Sequence, residues 1–373
     1  MRFLTIAVRD LRRRPLRSFL TSLGIAAAVG SFVAFVGMSR GVGRAIVNRH
    51  LAGGTHAVAF PKGTIGILAA SADESLAEQL RQIDGVAAVA AELIDLVAVE
   101  TGYVALLSGL APGSYLWQSL HLHDGKLPGA DEPKGVVLGE AIADTLGKRP
   151  GDTVEIRGEE FLVTGVARQS GVIANSTIVL HLPAMQELLR RQGKVTIFNL
   201  RLDHPDDPEK VAAVKARLAE AFVGLAFNET DEVAEKDEML QMLRAIAWSI
   251  SVIALVMAAV VMLNTLIMSV VERTREIGVL SAVGWQAGRI LAMIVLEGVV
   301  LTAMGSVVGI LLGIGGLHCL ASLPPVRGLI DPEVTLRLVL EVCGAALLFG
   351  VLGSLYPAWR AVTLDPVDAL RYE

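Results

Sequence analysis

Hydrophobic residues gather into four long runs, one near the N-terminus and three close together in the last third. Ser18 to Ser39 holds 22 residues without a charge, and at about 1.5 Å rise per residue such a helix crosses a hydrocarbon layer of about 30 Å. The second run, Ala245 to Val271, is also uncharged; the third extends from Ile290 to about Leu323 with Glu297 as its acid; the fourth extends from Leu338 to Trp359. A central Asp, Lys or Arg would add roughly 2.5–3.5 kcal/mol to insertion, so these windows predict transmembrane helices. They exclude a soluble chain. The segment between the first two runs, Arg40 to Arg244, alternates short strand and helix signals instead. The fold class is therefore a membrane protein with four helices in a 1+3 arrangement and a large α+β extracytoplasmic domain between helices one and two. Ala26-Ala27-Ala28 mimics a signal-peptide cleavage site, but the apolar run continues to Met38, past a normal signal core.

The predicted divisions are 1–15, a cytoplasmic amphipathic helix; 16–39, helix one; 40–244, the external domain with stalk helices and two subdomains; 245–271, helix two; 272–288, a cytoplasmic segment; 289–318, helix three; 319–336, a short external loop; 337–359, helix four; and 360–373, a cytoplasmic tail. Arg2, Arg9, Arg12, Arg13, Arg14 and Arg17 precede helix one, Arg273, Arg275 and Arg289 lie between helices two and three, and Arg360 and Arg371 follow helix four. By the positive-inside rule these segments and both termini are cytoplasmic. In a bacterium this is a multi-pass inner-membrane protein.

Within the external domain the pattern predicts strands at His56–Phe60, Val86–Val99 and Val195–Leu202, a hairpin from Thr153–Ile156 to Phe161–Val166, and helices at Ser75–Ile83, Pro183–Arg191 and Pro208–Phe222, the last capped by Asp207. Gly109, Pro112, Gly113, Gly125, Pro128 and Gly129 predict a turn-rich stretch. Glu229 to Arg244 enters helix two without Pro or Gly, so it reads as an outward continuation of that helix.

Composition adds little that changes this. Hydrophobic residues make up 53% of the chain, and the net charge of −5 points to no nucleic-acid partner. The two cysteines, Cys319 and Cys343, fall at or in membrane segments and leave the external domain without a disulfide. Candidate chemistry is sparse. His121 and His123 lack further metal ligands, Asp203-His204-Pro205-Asp206-Asp207 reads as a turn, and Ser108 and Ser170 lack a nucleophile elbow. Gly125-Lys126, Gly147-Lys148 and Gly193-Lys194 lack the glycine and hydroxyl of a phosphate-binding loop. No catalytic or metal site is expected. Gly305, Gly309 and Gly313 form a small-residue face suited to close helix packing, and Glu297 is an intramembrane acid.

The short turn after helix two concentrates charge and then an apolar stripe: Glu272-Arg273-Thr274-Arg275-Glu276-Ile277-Gly278-Val279-Leu280-Ser281-Ala282-Val283-Gly284. This segment resembles the E-R-x-x-E-I-G-x-L-x-A-x-G element of the MacB/FtsX/LolC-LolE superfamily of ATP-binding-cassette permeases. Leu16-Arg17-Ser18-Phe19-Leu20-Thr21-Ser22-Leu23-Gly24-Ile25, the ending Tyr356-Pro357-Ala358-Trp359-Arg360-Ala361 and Asp365-Pro366-Val367-Asp368-Ala369-Leu370-Arg371-Tyr372-Glu373 resemble the same superfamily, as does the helix spacing. The resemblance implies that Glu272, Arg273, Thr274, Arg275, Glu276, Ile277, Gly278, Leu280, Val283 and Gly284 couple the chain to a separate ATPase subunit. Glu272, Arg273, Arg275 and Glu276 would be its polar contacts, and Ile277, Leu280 and Val283 its packing. It also implies a second permease copy or paralogue, a periplasmic adaptor and membrane lipid as partners. This chain would bind no cofactor, with ATP and Mg held by the ATPase. The implied work is export or extraction of a lipoprotein, lipid, peptide or drug from the envelope. Alternatives are an FtsX-like scaffold signalling to a cell-wall hydrolase, a secondary transporter and a membrane-anchored enzyme.

Overall fold

The computed structural model describes residues 15–64, 67–129, 131–169, 172–322 and 334–363. The predicted N-terminal amphipathic helix, the loop between helices three and four and the Asp365–Glu373 ending lie outside these residues, as does Ser170. The chain divides into two compact units, one of 1–38, 244–319 and 332–373, the other of 39–243 and 320–331.

Helix α1 spans Pro15–Ala52. The strands and helices that follow are β1 (Ala57–Pro61), β2 (Ala72–Asp73), α2 (Leu76–Arg81), β3 (Val86–Val99), β4 (Tyr103–Leu110), α3 (Tyr115–Gln118), β5 (Leu122–Gly125), β6 (Gly135–Gly139) and α4 (Glu140–Leu146). Next come β7 (Thr153–Ile156), β8 (Glu159–Ala167), α5 (Val172–Asn175), β9 (Thr177–His181), α6 (Leu182–Leu189), β10 (Lys194–Val195), β11 (Ile197–Leu202), α7 (Pro208–Ala221), β12 (Leu225–Glu229) and α8 (Thr230–Lys236). The chain then returns to long helices: α9 (Glu238–Glu272), the short α10 (Thr274–Ala282), α11 (Ala287–Ser322) and α12 (Leu336–Val362). Four of these, α1, α9, α11 and α12, are long and apolar enough to cross a membrane.

In the first unit the four long helices share a core in which Val29, Phe32 and Val33 of α1, Met262 and Leu266 of α9, Leu301 of α11 and Val342 of α12 are buried. The bundle is tightened by glycine. A Cβ on Gly309 would lie 2.6 Å from the Ala26 carbonyl oxygen, and one on Gly313 would lie 2.7 Å from that of Gly30. Gly305 likewise abuts Ile25 and the Ser22 carbonyl. The small-residue face of α11 therefore lies on α1 of the same chain, where removal of side chains lets backbones touch. Thr21 and Thr265 share a hydroxyl hydrogen bond of 2.8 Å across α1 and α9, which satisfies two polar groups where water is scarce.

The second unit is built on a ten-stranded mixed sheet among the described residues, in the order β12-β1-β11-β3-β4-β9-β6-β8-β5, with β7 hydrogen-bonded to β3 and β8. The β4–β9 and β6–β8 pairs are parallel and the others antiparallel. Strand β3 is its longest member, with 14 residues, pairing with β11 through Val86–Glu92 and with β4 through Glu92–Val99. Successive side chains of a strand point to opposite faces. Val89, Ala91 and Leu93 therefore enter the large core beneath α2 and α6, while Ala90, Glu92 and Ile94 face the other way. On that second face Ile46, near the end of α1, packs against Val58, Ile94, Ile197 and Val233.

Two sequence expectations are corrected here. Gly109 lies inside β4 rather than in a turn; a Cβ there would meet Met185 of α6 at 2.8 Å, so close packing of helix on strand accounts for the glycine. The segment before the second long helix is also not continuous, because Asp237 is extended (ψ 120°) between α8 and α9. Its carboxylate accepts the Leu240 backbone N–H at 2.9 Å and starts a new helix. The hairpin β7–β8 forms in antiparallel register, and Asp207 caps α7 by accepting from Glu209 and Lys210. Strands β6 and β9 show no alternation of apolar and polar residues because both of their faces are buried.

Candidate functional site

Two places in the molecule concentrate polar groups with defined partners. The first is the segment after α9. That helix ends at Glu272, Arg273 departs from helical geometry (φ −111°, ψ 14°), and α10 begins at Thr274. The Thr274 hydroxyl donates to the carbonyls of Val270 and Val271, at 3.2 and 2.8 Å, and so holds the bend. Helix α10 ends at Ala282, and two residues on, Gly284, whose φ of +90° is the left-handed region, turns the chain and donates its N–H to the Ser281 carbonyl.

The charges of this segment divide into inward and outward groups. Glu272 accepts two bonds from the Arg17 guanidinium, at 2.7 and 2.9 Å, an arrangement that fixes both planes. Arg273 lies 3.2 Å from Glu276 and 3.8 Å from Glu297, so the intramembrane acid of α11 faces the arginine of the bend. Ile277 is 3% exposed and packs with Val270, Ile290, Met293, Ile294, Ala358 and Ala361 of the chain's own helices. Gly278 is buried beside it, Leu280 is half-buried and Gly284 is exposed. Arg275, Glu276, Val279, Ala282 and Val283 are exposed, Val283 at 76%. The expected apolar stripe is thus split. Ile277 seats α10 on its own bundle, because a helix of 9 residues needs a buried anchor to stay folded; Val279 and Val283 form the outward face.

The second place is the outer end of α1, where Ser108 is the sole residue that the sequence pattern singles out. Glu92, 1% exposed in the middle of β3, forms an ion pair with Arg49 of α1. It also accepts from the Ser108 hydroxyl at 2.5 Å and the Asn199 amide at 2.8 Å. Asn199 in turn lies 3.1 Å from His50 Nδ1. Thr55 bonds the Tyr115 hydroxyl at 3.2 Å, and Arg201 stacks on the Tyr115 ring at 4.0 Å while donating to the carbonyls of Gly53 and Gly54. Those carbonyls follow the helix C-terminus, where a cation is favoured. Burial raises the Glu92 pKa, but the Arg49 charge and the Ser108 bond outweigh it and hold the carboxyl below its usual range. Burial, then the neighbouring Arg49, lowers His50 to about 4. Burial pushes Tyr115 up to about 12. The signal for this cluster was a charged residue inside an apolar strand. Its partners stand too far away in sequence for spacing to find them.

The remaining candidates stay apart. His121 and His123 sit at and in the exposed β5 edge, and no group of three or more metal-type side chains occurs among the described residues.

A bundle of four apolar helices, a mixed-sheet domain between the first two and a short helix bent off the second define a membrane protein with a large domain outside the bilayer. The sequence profile of the MacB-like periplasmic core domain matches residues 18–220, and that of the FtsX-like permease C-terminal region matches residues 248–366. The chain belongs to the MacB/FtsX family of ATP-binding-cassette transporter permeases. It is 26% identical to the ABC transporter permease YknZ of Bacillus subtilis, over 99% of this chain and 98% of that one. It is 29% identical to the macrolide export ATP-binding/permease protein MacB of Rhodospirillum rubrum over 99% of this chain, which spans 60% of the length of that relative. Among solved structures, the periplasmic region of MacB from Actinobacillus actinomycetemcomitans aligns with 52% of this chain and 95% of its own, at 17% identity and a TM-score of 0.40. The extracellular domain of YknZ aligns with 47% of this chain and 98% of its own, at 16% identity and a TM-score of 0.37.

Proposed function

We propose that the chain is the membrane subunit of a transporter whose ATPase is a separate polypeptide, and that the outward face of α10 is where the ATPase docks. The exposed Arg275, Glu276, Val279 and Val283 support this reading: charges and apolar groups share one surface while Ile277 is spent on the chain's own core. Glu272 and Arg273 act differently from the other charges. Held by Arg17, Glu276 and Glu297, they set the angle of α10, and Glu297 serves as that anchor rather than as an ion carrier. Both termini and α10 are cytoplasmic in this reading, and the sheet domain is external. ATP and Mg bind the partner. The permease works as a pair with a second copy or a paralogue, and α1 carries the motion outward to move an envelope substrate such as a lipoprotein, lipid, peptide or drug.

The test is the double substitution Arg275→Glu with Val283→Glu, both on the exposed face and outside the ion pairs that Arg273 makes with Glu276 and Glu297. It should lower recruitment and stimulation of the co-purified ATPase at least tenfold, while the yield of folded, membrane-inserted chain stays unchanged. Normal stimulation would remove α10 as the docking element. Cargo captured with the complex would support transport, whereas capture of a cell-wall hydrolase alone would support the signalling alternative.

A further inference from the structure

The end of α1 borders a cavity of about 160 Å³ in the external unit. Arg49 and His50 line it, and both carry hydrogen-bonding atoms without a partner among the described residues. Arg49 spends Nη2 on Glu92 and Ser108, and among the described residues its Nε and Nη1 donate to nothing. His50 is 4% exposed and uses only Nδ1. The direction of that bond follows from the network: Asn199 donates its amide to Glu92, so its carbonyl oxygen accepts, and His50 Nδ1 must carry the proton. The neutral ring therefore keeps a bare lone pair on Nε2. The cavity offers a donor fork and an acceptor on adjacent residues.

Charge and wall chemistry narrow the occupant. Arg49 is neutralised by Glu92 and His50 is uncharged, so an ionic ligand would set an uncompensated charge beside this buried network. A neutral one would not. Leu110, Leu116, Leu120 and Val179 make up an apolar part of the wall. The volume is close to the ~150 Å³ apolar cavity that accepts a benzene-sized guest, well above the ~15 Å³ that one water needs. We propose that this cavity is a binding site for a neutral carboxamide or peptide unit with a short aliphatic substituent, its carbonyl accepting from Arg49 and its N–H donating to His50 Nε2. The site lies wholly in the external unit, and its existence does not rest on the ATPase reading.

The experiment uses the full chain in detergent, labelled with ¹⁵N-histidine, and N-acetyl-alanine N-methylamide as the probe. The His50 Nε2 resonance, assigned by its loss in His50→Gln, should move saturably with probe. Sodium acetate and methylammonium chloride should leave it in place. Leu120→Trp, which fills the cavity from a half-buried wall position without touching the polar network, should weaken binding at least tenfold; its melting temperature checks that it folds. If that variant is unstable, Val179→Phe is the second filling substitution. An N-acetylated tetra-alanine methylamide separates sources within the same chemistry: tighter binding than the single unit identifies a chain segment as the occupant, and equal binding a small free amide. The assignment is overturned if the resonance shows no saturable shift, if acetate binds as well as the amide, or if the filled variants bind with unchanged affinity.

Discussion

Glu92 and His50 show how burial changes what a residue can do. Both are nearly inaccessible, yet one stays ionised because Arg49 pairs with it and the other stays neutral because burial and the same Arg49 oppose its charge. This has a measurable consequence. His50 protonates near its ordinary 6.5 when unfolded but at about 4 when folded, so the unfolded chain takes up a proton first as pH falls. Stability should be fully present above pH 6.5 and should drop by about 3 kcal/mol by pH 4. Glu92 adds to the loss below that, because its folded pKa is depressed. Thermal melts of the detergent-solubilised chain between pH 7 and 4 would show the slope, and His50→Gln should flatten it. Parallel curves for the two proteins would remove His50 as the cause.

Among the elements, α11 and α1 fit because three glycines on one take the backbone of the other. Gly309→Leu would drive a side chain into the Ala26 carbonyl and Val29, where neither backbone can give way. It should lower folded yield severalfold. Gly315→Leu, on the same helix with nothing within 4 Å, should be tolerated; size-exclusion profiles of both variants make the comparison. The spacing of the glycines was visible in the sequence, as was each long helix, because a run of apolar residues is complete within one segment. Whether the small face met another copy or the same chain was not visible. The break at Asp237 was equally hidden, since no Pro or Gly marks it and an Asp can sit inside a helix or cap one.

At the scale of the whole molecule, the 38 residues of α1 measure about 57 Å, nearly twice a hydrocarbon layer of about 30 Å. Its outer end reaches the sheet face at Ile46 and Arg49. The helix thus belongs to both compact units, and the polar cluster at Glu92 holds the part that lies in the external one. Topology is tested directly: in a chain with Cys319→Ser and Cys343→Ser, single cysteines at Val223 and Ala287, both exposed, should react with a membrane-impermeant maleimide from opposite sides in intact cells and inverted vesicles. Labelling from one side would overturn the orientation.

The sequence by itself determined the helices, their number and the charged bend between the second and third, because insertion energy sums over neighbouring residues and charge asymmetry is read locally. Tertiary structure alone decided which charges of that bend turn outward, that Glu297 faces Arg273, and that residues 43, 16 and 107 positions apart would converge on Glu92. Those outcomes depend on strand register and helix rotation, which a linear pattern constrains but does not specify.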